Sequence, residues 1–308
     1  MNGGFFGMRN IGFFMLLVCT AGCMLAAGCT RVVEPKGVIY RPDFETVAEE
    51  VPVETREYTV DEYEQMGDAA FRRGDLEFAF FNYKKALKHE PESLNLRCKR
   101  AWVLLAGDFN KEAAREFKAV LEKNEQSASA REGLGQARFR MKDYDQAREQ
   151  FEKALAIDPG RWRAHNFLGI MYNHENEPGR AIDEFTAALA VKPDSGILYN
   201  NLGMAYSSAG RYEEALAAYR RAYELGAPRV KTLNNIGIVL ATMGRVGEAR
   251  EVFVEAGGEA LAYNNLGCVY LFQGDYENAE KSFKKAVSIS PEDTAAEKNL
   301  EKCRREMN

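Results

Sequence analysis

Residues that could support catalysis are sparse in this 308-residue chain. The three histidines, His89, His165 and His174, have no cysteine or carboxylate partners at the spacing of a metal site. The polar run from His174 to Glu177 falls at an expected helix turn, where polar side chains are ordinary. No HExxH, GxSxG or P-loop motif occurs. We therefore expect a non-enzymatic protein with no cofactor and no bound metal.

The six cysteines are distributed unevenly, with Cys19, Cys23 and Cys29 near the start and Cys98, Cys268 and Cys303 scattered through the rest. None of them forms a CxxC pair, so neither a zinc site nor a disulfide framework is expected. The formal net charge of -5 gives no overall basic excess for binding phosphates, and nucleic acid is therefore not an expected partner.

The N-terminal segment has the pattern of a secretory signal. It holds one basic residue, Arg9, then an apolar run from Ile11 to Val18, then small residues up to Cys29. The run is short for a helix that must cross about 30 Å of hydrocarbon, although an uncleaved anchor helix is the alternative. Met8 is a second candidate for the true start, because Met8 and Arg9 would begin a more ordinary basic region.

The end of this segment, Leu25-Ala26-Ala27-Gly28-Cys29, resembles the lipobox of bacterial lipoproteins. The resemblance implies a lipoprotein signal peptide over 1–28 and acyl chains such as palmitate on Cys29, with Cys23 as the second candidate. Ala26 departs from the family, which prefers Leu at that place. Thr30 is not the Asp that marks inner-membrane retention, so the resemblance implies the periplasmic face of the outer membrane.

Residues 29–59 predict an acidic tether. Three prolines stand among seven acidic side chains between Arg31 and Thr59, and no helical period is sustained there. Such a stretch would act as a semi-rigid spacer that lifts a folded domain off the lipid surface.

A period of 34 residues organises the chain from Val60 onward. A Leu-Gly pair or its equivalent recurs at Met66-Gly67, Arg100-Ala101, Leu134-Gly135, Leu168-Gly169, Leu202-Gly203, Ile236-Gly237 and Leu266-Gly267. An aromatic residue follows at a constant distance, at Tyr83, Phe117, Phe151, Phe185, Tyr219, Phe253 and Phe283. Glycine lets two helices approach closely, so we interpret the glycines and the aromatics as packing residues.

This pattern resembles the tetratricopeptide repeat. The resemblance covers residues 60–293 and implies seven repeats, at 60–93, 94–127, 128–161, 162–195, 196–229, 230–259 and 260–293. The implied fold is all-α, a right-handed superhelical solenoid of seven helix hairpins plus a C-terminal capping helix over 294–308. The sixth repeat is four residues short and ends at Gly257-Gly258, which predicts a kink there.

Members of this family use the first helix of each repeat to line a concave groove. The corresponding polar positions hold three Asn pairs, Asn200-Asn201, Asn234-Asn235 and Asn264-Asn265, and the corresponding apolar positions hold Met204, Ile238 and Leu271. We predict that this amide ladder binds the backbone of an extended peptide while the apolar residues cover its side chains. The alternative is that the amides only hydrogen-bond the neighbouring helix.

Basic groove residues are few. Lys99, Arg163 and Lys231 do not fall at consecutive matching positions, so a clamp for a terminal carboxylate is not expected.

The plan of the whole chain resembles the assembly lipoproteins of tight-adherence (Flp) and type IV pili. The resemblance implies a lipid-anchored scaffold in the cell envelope that holds a secretin or pilus protein. A second hypothesis is an adaptor for peptidoglycan hydrolases or synthases. A third, an enzyme subunit with the groove as a substrate channel, is disfavoured because no nucleophile, base and orienting group can be named. The oligomeric state stays open.

Overall fold

The computed structural model describes residues 58–307, and all of the regular structure in this range is α-helical. The helices are α1 (Val60–Arg73), α2 (Leu76–His89), α3 (Leu94–Ala106), α4 (Asn110–Lys123), α5 (Ala128–Arg140), α6 (Tyr144–Ile157), α7 (Trp162–His174), α8 (Pro178–Val191), α9 (Gly196–Ser208), α10 (Tyr212–Glu224), α11 (Arg229–Thr242), α12 (Val246–Phe272), α13 (Tyr276–Ile289) and α14 (Thr294–Met307). The predicted all-α fold class is confirmed. The predicted signal peptide and nearly all of the predicted tether lie outside the described residues.

Local sequence signals decide where the helices begin and end. At the start of α1, Thr59 Oγ1 accepts the Glu62 N–H at 3.2 Å and Glu62 Oε2 accepts the Thr59 N–H at 2.9 Å, which forms a capping box. Gly74 ends α1 with a φ of 79°, a left-handed conformation that glycine adopts without strain. Asp75 then caps α2 by accepting the Phe78 N–H at 3.1 Å. The two-residue turn joins α1 and α2 as a hairpin.

A glycine on the first helix and an aromatic ring on the second hold each of six hairpins together. A Cβ added to any of these glycines would lie 2.5–2.8 Å from a ring carbon, closer than real Cβ atoms come. The pairs are Gly67 with Tyr83, Gly135 with Phe151, Gly169 with Phe185, Gly203 with Tyr219, Gly237 with Phe253 and Gly267 with Phe283. All of these rings are buried. The predicted packing role of both residue types is confirmed.

The hairpin of α3 and α4 has Ala101 at the glycine position. Its ring, Phe117, lies against Gly133 of α5, where an added Cβ would be only 2.2 Å from Phe117 Cζ. Trp102 meets the Phe117 ring edge to face, with the ring centroids 5.3 Å apart. The close glycine contact here therefore joins two hairpins.

The shortened spacing near residue 257 corresponds to a break inside α12. Gly257 (φ -175°, ψ 23°) and Gly258 (φ 90°, ψ 177°) have non-helical backbone, and the φ of Gly258 is one that L side chains rarely adopt. The predicted kink is confirmed. Because α12 packs against both α11 and α13, this break lets one stretch of chain supply a helix to two hairpins.

The described residues form two compact units, 58–168 and 169–307. The core of the first is built around Leu96, Leu105 and Phe117, and the core of the second around Leu216, Phe253 and Leu266. Helix α14 packs on α13 and buries Ala296, Leu300 and Cys303 while its other side chains stay largely polar. Among the helices of residues 58–307, none has both the length and the apolar character needed to span a bilayer.

We predict that Gly133→Ala destabilises the protein by about 1–3 kcal/mol, because the new methyl group must displace the buried Phe117 ring. The midpoint of urea unfolding measures this. Gly179→Ala is the control, since a Cβ at this exposed position in α8 meets nothing within 4 Å. The control should be neutral or slightly stabilising through helix propensity. Equal stability of the Gly133→Ala variant and the wild type would contradict the close contact.

Candidate functional site

The predicted amide ladder lies on the first helices of the second unit. Asn200 and Asn201 belong to α9, Asn234 and Asn235 to α11, and Asn264 and Asn265 to the last part of α12. The pairs in α9 and α12 are buried and the pair in α11 is half-buried. The three pairs therefore lie in one register of successive helices, with only the pair in α11 partly exposed.

Successive Asn pairs hydrogen-bond to each other. Asn235 Nδ2 donates to Asn200 Oδ1 at 3.1 Å, and Asn265 Nδ2 donates to Asn234 Oδ1 at 3.1 Å. In both contacts the second Asn of one first helix donates to the first Asn of the preceding first helix. These amides thus act as a link between neighbouring helices.

Asn299 continues the ladder into α14. Its Nδ2 donates to Asn264 Oδ1 at 2.9 Å, although α14 was expected only to cap the array. The offset of 35 residues equals the offset between Asn200 and Asn235, so a search of the sequence at that interval could have found it. Asn264 Nδ2 is buried and has no hydrogen-bond partner among the described residues.

The apolar members of the predicted groove are half-buried. Ile238 packs against the core of α11 and α12, and Leu271 against the core of α13 and α14. Met204 is also half-buried on α9. Peptide binding by this set stays a prediction, and the observed contacts give its amides a structural role as well.

In the first unit, the pairing between neighbouring first helices is an ion pair instead of a bond between amides. Lys99 Nζ lies 2.7 Å from Glu64 Oε1, again across 35 residues, and it also contacts Asp68 Oδ2 at 2.7 Å. Tyr83 Oη donates to Asp68 Oδ1 at 2.6 Å. Burial opposes ionisation of Asp68, but the hydrogen bonds from Lys99 and Tyr83 outweigh it and lower the pKa of that carboxyl. Lys99 is therefore engaged by carboxylates of the protein itself.

Glu132 departs from this pattern. It holds on α5 the position that Glu64 and Asn200 hold on their helices, but the residue 35 places later is Phe167, which has no hydrogen-bond donor on its side chain. Glu132 is 2% exposed, and its Oε1 has no hydrogen-bond partner among the described residues. Burial raises the pKa of Glu132, although Arg163 and Arg161 favour its charged form.

Glu132 borders a cavity of about 330 Å³ on the first-helix side of the first unit. Helices α1, α3 and α5 and the chain around the start of α7 line this cavity, with Phe71, Trp102, Ser129, Gln136, Arg140 and Arg163 among the residues. Trp102 Nε1 donates to Ser129 Oγ at 3.1 Å, which fixes the indole in the wall. Aromatic walls with a few convergent polar groups are typical of a binding site. We call it the Arg163 cavity.

Two of the arginines at this cavity are engaged within the protein. Arg140 Nη1 donates to the Leu105 carbonyl oxygen and to Asp108 Oδ1. Arg161 Nε donates to Asp158 Oδ2 at 2.8 Å, and its Nη1 reaches Glu132 Oε2 at 3.3 Å. Both guanidinium groups are therefore held in place by neighbouring acceptors.

Arg163 is engaged differently. Its side chain is 50% exposed, and Glu132 Oε1 is 3.9 Å from Arg163 Nη1, beyond hydrogen-bond distance. The guanidinium lies 4.5 Å from the Trp162 ring centroid and 5.9 Å from that of Trp102. Two indole rings thus position a cation that lines the cavity, is half exposed and makes no hydrogen bond to any residue of 58–307.

Sequence reasoning named Arg163 but did not connect it with Trp102, and it missed Glu132. The signal available in the sequence was the pair Glu132 and Phe167. These two residues are 35 places apart, and phenylalanine stands where the other pairs have a hydrogen-bond donor. The sequence could not show that the Glu132 carboxylate is buried, because its burial depends on the side chains packed around it.

Among residues 58–307, no group of three or more His, Cys, Asp or Glu side chains could hold a metal ion. His89 stacks on Tyr63, with the ring centroids 6.0 Å apart, and His165 Nε2 lies 3.0 Å from the Pro159 carbonyl oxygen. These imidazoles are used in packing and in a local polar contact.

Comparison with known families agrees with this geometry. Models described as tetratricopeptide repeat match residues 98–161, 137–188 and 174–230, and a further model of the same description matches 260–293. Together the matches cover more than half of the chain. No curated protein matches the chain in sequence.

Solved structures with the same architecture are numerous. The Cut9 and Hcn1 hetero-tetramer of APC/C matches 80% of this chain and 49% of its own, at 18% identity and a TM-score of 0.59. A structure from the functional characterization of Pseudomonas aeruginosa pilF matches 71% and 96%, at 22% identity and a TM-score of 0.55. A tetratricopeptide repeat protein from Parabacteroides merdae matches 81% and 99%, at 19% identity and a TM-score of 0.52. At these sequence identities the similarity supports a shared fold and does not indicate a shared function.

We predict that the amides of the ladder are energetically coupled. A double-mutant cycle of Asn200→Ala and Asn235→Ala, measured by urea unfolding, should give a coupling energy of about 0.5–1.5 kcal/mol, since each single change removes the same hydrogen bond. Asn200→Ala combined with Asn265→Ala is the control, because these two amides bond to different partners. Additivity in the first pair would mean that the amide contact adds nothing to stability.

We predict that Glu132→Gln becomes more stable relative to the wild type as the pH rises. The folded-state pKa of Glu132 lies above its unfolded value, so the wild type loses stability as the pH rises through the folded pKa. The free energy of unfolding between pH 4 and pH 8 measures the difference between the two proteins. Glu149→Gln is the control, since Lys153 lowers the pKa of that exposed carboxyl and the trend should reverse. A falling difference for Glu132→Gln would show that its arginine contacts outweigh burial.

Proposed function

Because the chain belongs to the tetratricopeptide-repeat family, we propose that it is a non-enzymatic scaffold that binds an extended peptide segment of a partner protein. The observation that carries this proposal is the Arg163 cavity. It lies on first helices and presents aromatic walls, a half-exposed guanidinium and a buried carboxylate oxygen that has no hydrogen-bond partner among the described residues.

An extended peptide suits this surface because its backbone offers donors and acceptors along its whole length. The cavity supplies both kinds of group, with Glu132 Oε1 as acceptor and Arg163 as donor. Phe71 and Trp102 supply apolar area for side chains between them. Arrays of this family are protein-interaction folds and generally non-catalytic, which agrees with a binding role.

The membrane attachment in this proposal rests on the sequence alone. The lipobox resemblance at Cys29 lies outside the described residues, as does most of the acidic segment that follows it. Several acyl chains on one residue give stable anchoring, because each buried CH2 contributes about 0.8 kcal/mol. We place the scaffold on the periplasmic face of the outer membrane.

The partner in this proposal is a secretin or pilus protein. This part rests on the order of signal, tether and repeat array along the chain. Fold similarity at 22% identity does not name a partner, because the same fold serves many functions. The adaptor for peptidoglycan hydrolases or synthases is the competing outcome of the test below.

In the native host, Cys29→Ala should abolish labelling by an alkyne palmitate analogue, release the chain from the membrane fraction, and reduce assembled secretin and surface pilin. Cys23→Ala is the matched control and should change none of these. Labelling that persists in Cys29→Ala would move the site or end the lipoprotein hypothesis. Loss of anchoring with normal secretin and pilin but altered peptidoglycan hydrolysis would replace the pilus proposal with the adaptor hypothesis.

A further inference from the structure

We propose that the Arg163 cavity selects peptides by an acidic side chain, with Arg163 binding the carboxylate and Glu132 accepting a nearby peptide N–H. This inference rests on the proposed peptide-binding function and gives the chemical class of the partner segment. It predicts selection by charge at one site, in a chain whose own net charge is -5.

Arg163 is the arginine at this cavity whose N–H groups make no hydrogen bond within the described residues, although it lies 3.9 Å from Glu132 Oε1. Arg140 and Arg161 already donate to Asp108 and Asp158 at 2.8 Å. The Arg163 guanidinium makes no hydrogen bond to any residue of the described range and is half exposed. A planar guanidinium with free N–H groups binds a carboxylate through two parallel hydrogen bonds.

The tryptophans make this cation a preformed site. Trp162 and Trp102 lie 4.5 Å and 5.9 Å from the guanidinium and restrict where it can point. Trp102 is itself fixed by its hydrogen bond to Ser129. A ligand therefore meets an arginine that has already lost much of its side-chain freedom, which lowers the entropic cost of binding.

The buried carboxylate of Glu132 disfavours some classes of ligand. A phosphate would place close to two negative charges near this buried carboxylate, whereas a peptide carboxylate places only one. A cationic side chain would meet Arg140, Arg161 and Arg163 together. A peptide with an acidic side chain is not repelled by the arginines, and it is repelled less than a phosphate by Glu132. Its carboxylate can bind to the exposed part of the Arg163 guanidinium.

Glu132 Oε1 makes no hydrogen bond among the described residues, and a neutral donor from a ligand would supply one. Elsewhere along the first helices, the equivalent acceptors of Glu64 and Asn200 receive Lys99 and Asn235. Phe167 stands where the donor to Glu132 would be, and its ring is stacked on Phe151 with centroids 5.2 Å apart. A backbone N–H of a bound peptide would complete this position without adding charge.

The Glu132 acceptor and the Arg163 donor are close enough for one short peptide segment to bind both. Glu132 Oε1 and Arg163 Nη1 are 3.9 Å apart, so one short stretch of extended peptide can reach both. Phe71 and Trp102 flank the same cavity and favour an apolar neighbour in the peptide. The expected binding sequence alternates acidic and apolar side chains.

The chain has only two tryptophans, and both contact Arg163, so intrinsic fluorescence reports on this site. The probes are acetylated, C-terminally amidated decapeptides in which every second residue is Asp, Asn or Lys and the others alternate Leu and Ser. We expect the Asp peptide to change the fluorescence and to bind at least about tenfold more tightly than the Asn and Lys peptides. The Asn peptide with a free C-terminal carboxylate separates a terminal carboxylate from a side chain.

Arg163→Gln should reduce binding of the Asp peptide about tenfold or more, and Arg163→Lys should restore only part of it because the two-pronged geometry is lost. Arg211→Gln is the matched control, since Arg211 is 49% exposed and stacks on Tyr206 at 4.5 Å in the other unit. Calorimetry repeats each measurement without relying on tryptophan.

The outcomes separate the two proposals. Equal binding of the Asp, Asn and Lys peptides, or full binding by Arg163→Gln, would overturn the acidic selection and leave the peptide scaffold intact. Preference for the free C-terminus over the internal Asp would also overturn it. If none of the peptides binds while the folded state is intact by circular dichroism, both the selection and the proposed peptide groove are wrong.

Discussion

The contact between a glycine of one helix and an aromatic ring of the next is the constraint on which the rest of the structure depends. In six hairpins the ring occupies the space that a Cβ would fill. This contact fixes how far apart the two helices of a hairpin lie, because neither backbone can move closer and any larger distance would leave a void beside a buried ring. With that distance set in one hairpin after another, equivalent residues of neighbouring first helices come to equivalent positions.

The pairing between first helices follows from this regularity. A donor on one helix meets an acceptor 35 residues earlier, as Lys99 meets Glu64 and Asn235 meets Asn200. The offset between Asn265 and Asn234 is 31 because the break at Gly258 shortens the chain there. One geometric relation therefore serves a charged pair in the first unit and neutral amides in the second. Buried amides bond without the desolvation cost of ions, which suits the more buried positions of α9 and α12.

Glu132 shows what happens where the relation is interrupted. Phe167 contributes to aromatic packing with Phe139 and Phe151 instead of donating a hydrogen bond. The cost is a buried carboxylate oxygen with no hydrogen-bond partner among the described residues, beside an arginine that two indoles hold in place. A position that lowers stability in the free protein is one where a ligand can gain binding energy, because the ligand satisfies a group that the fold leaves unsatisfied.

The amino-acid sequence by itself determined the helix hairpins, the aromatic core and the break at Gly257 and Gly258. These follow from spacing, since a period of 34 residues puts a glycine on the first helix opposite an aromatic residue on the second in six of the seven repeats. The sequence also placed the Asn pairs on one register. Only the tertiary structure decided that these amides bond to each other, that Asn299 joins them, and that Glu132 is buried beside the half-exposed Arg163. The reason is that a repeat period shows which residues share a helix face. Whether two polar groups form a hydrogen bond depends on their separation to within a few tenths of an ångström, which only the packing of the helices sets.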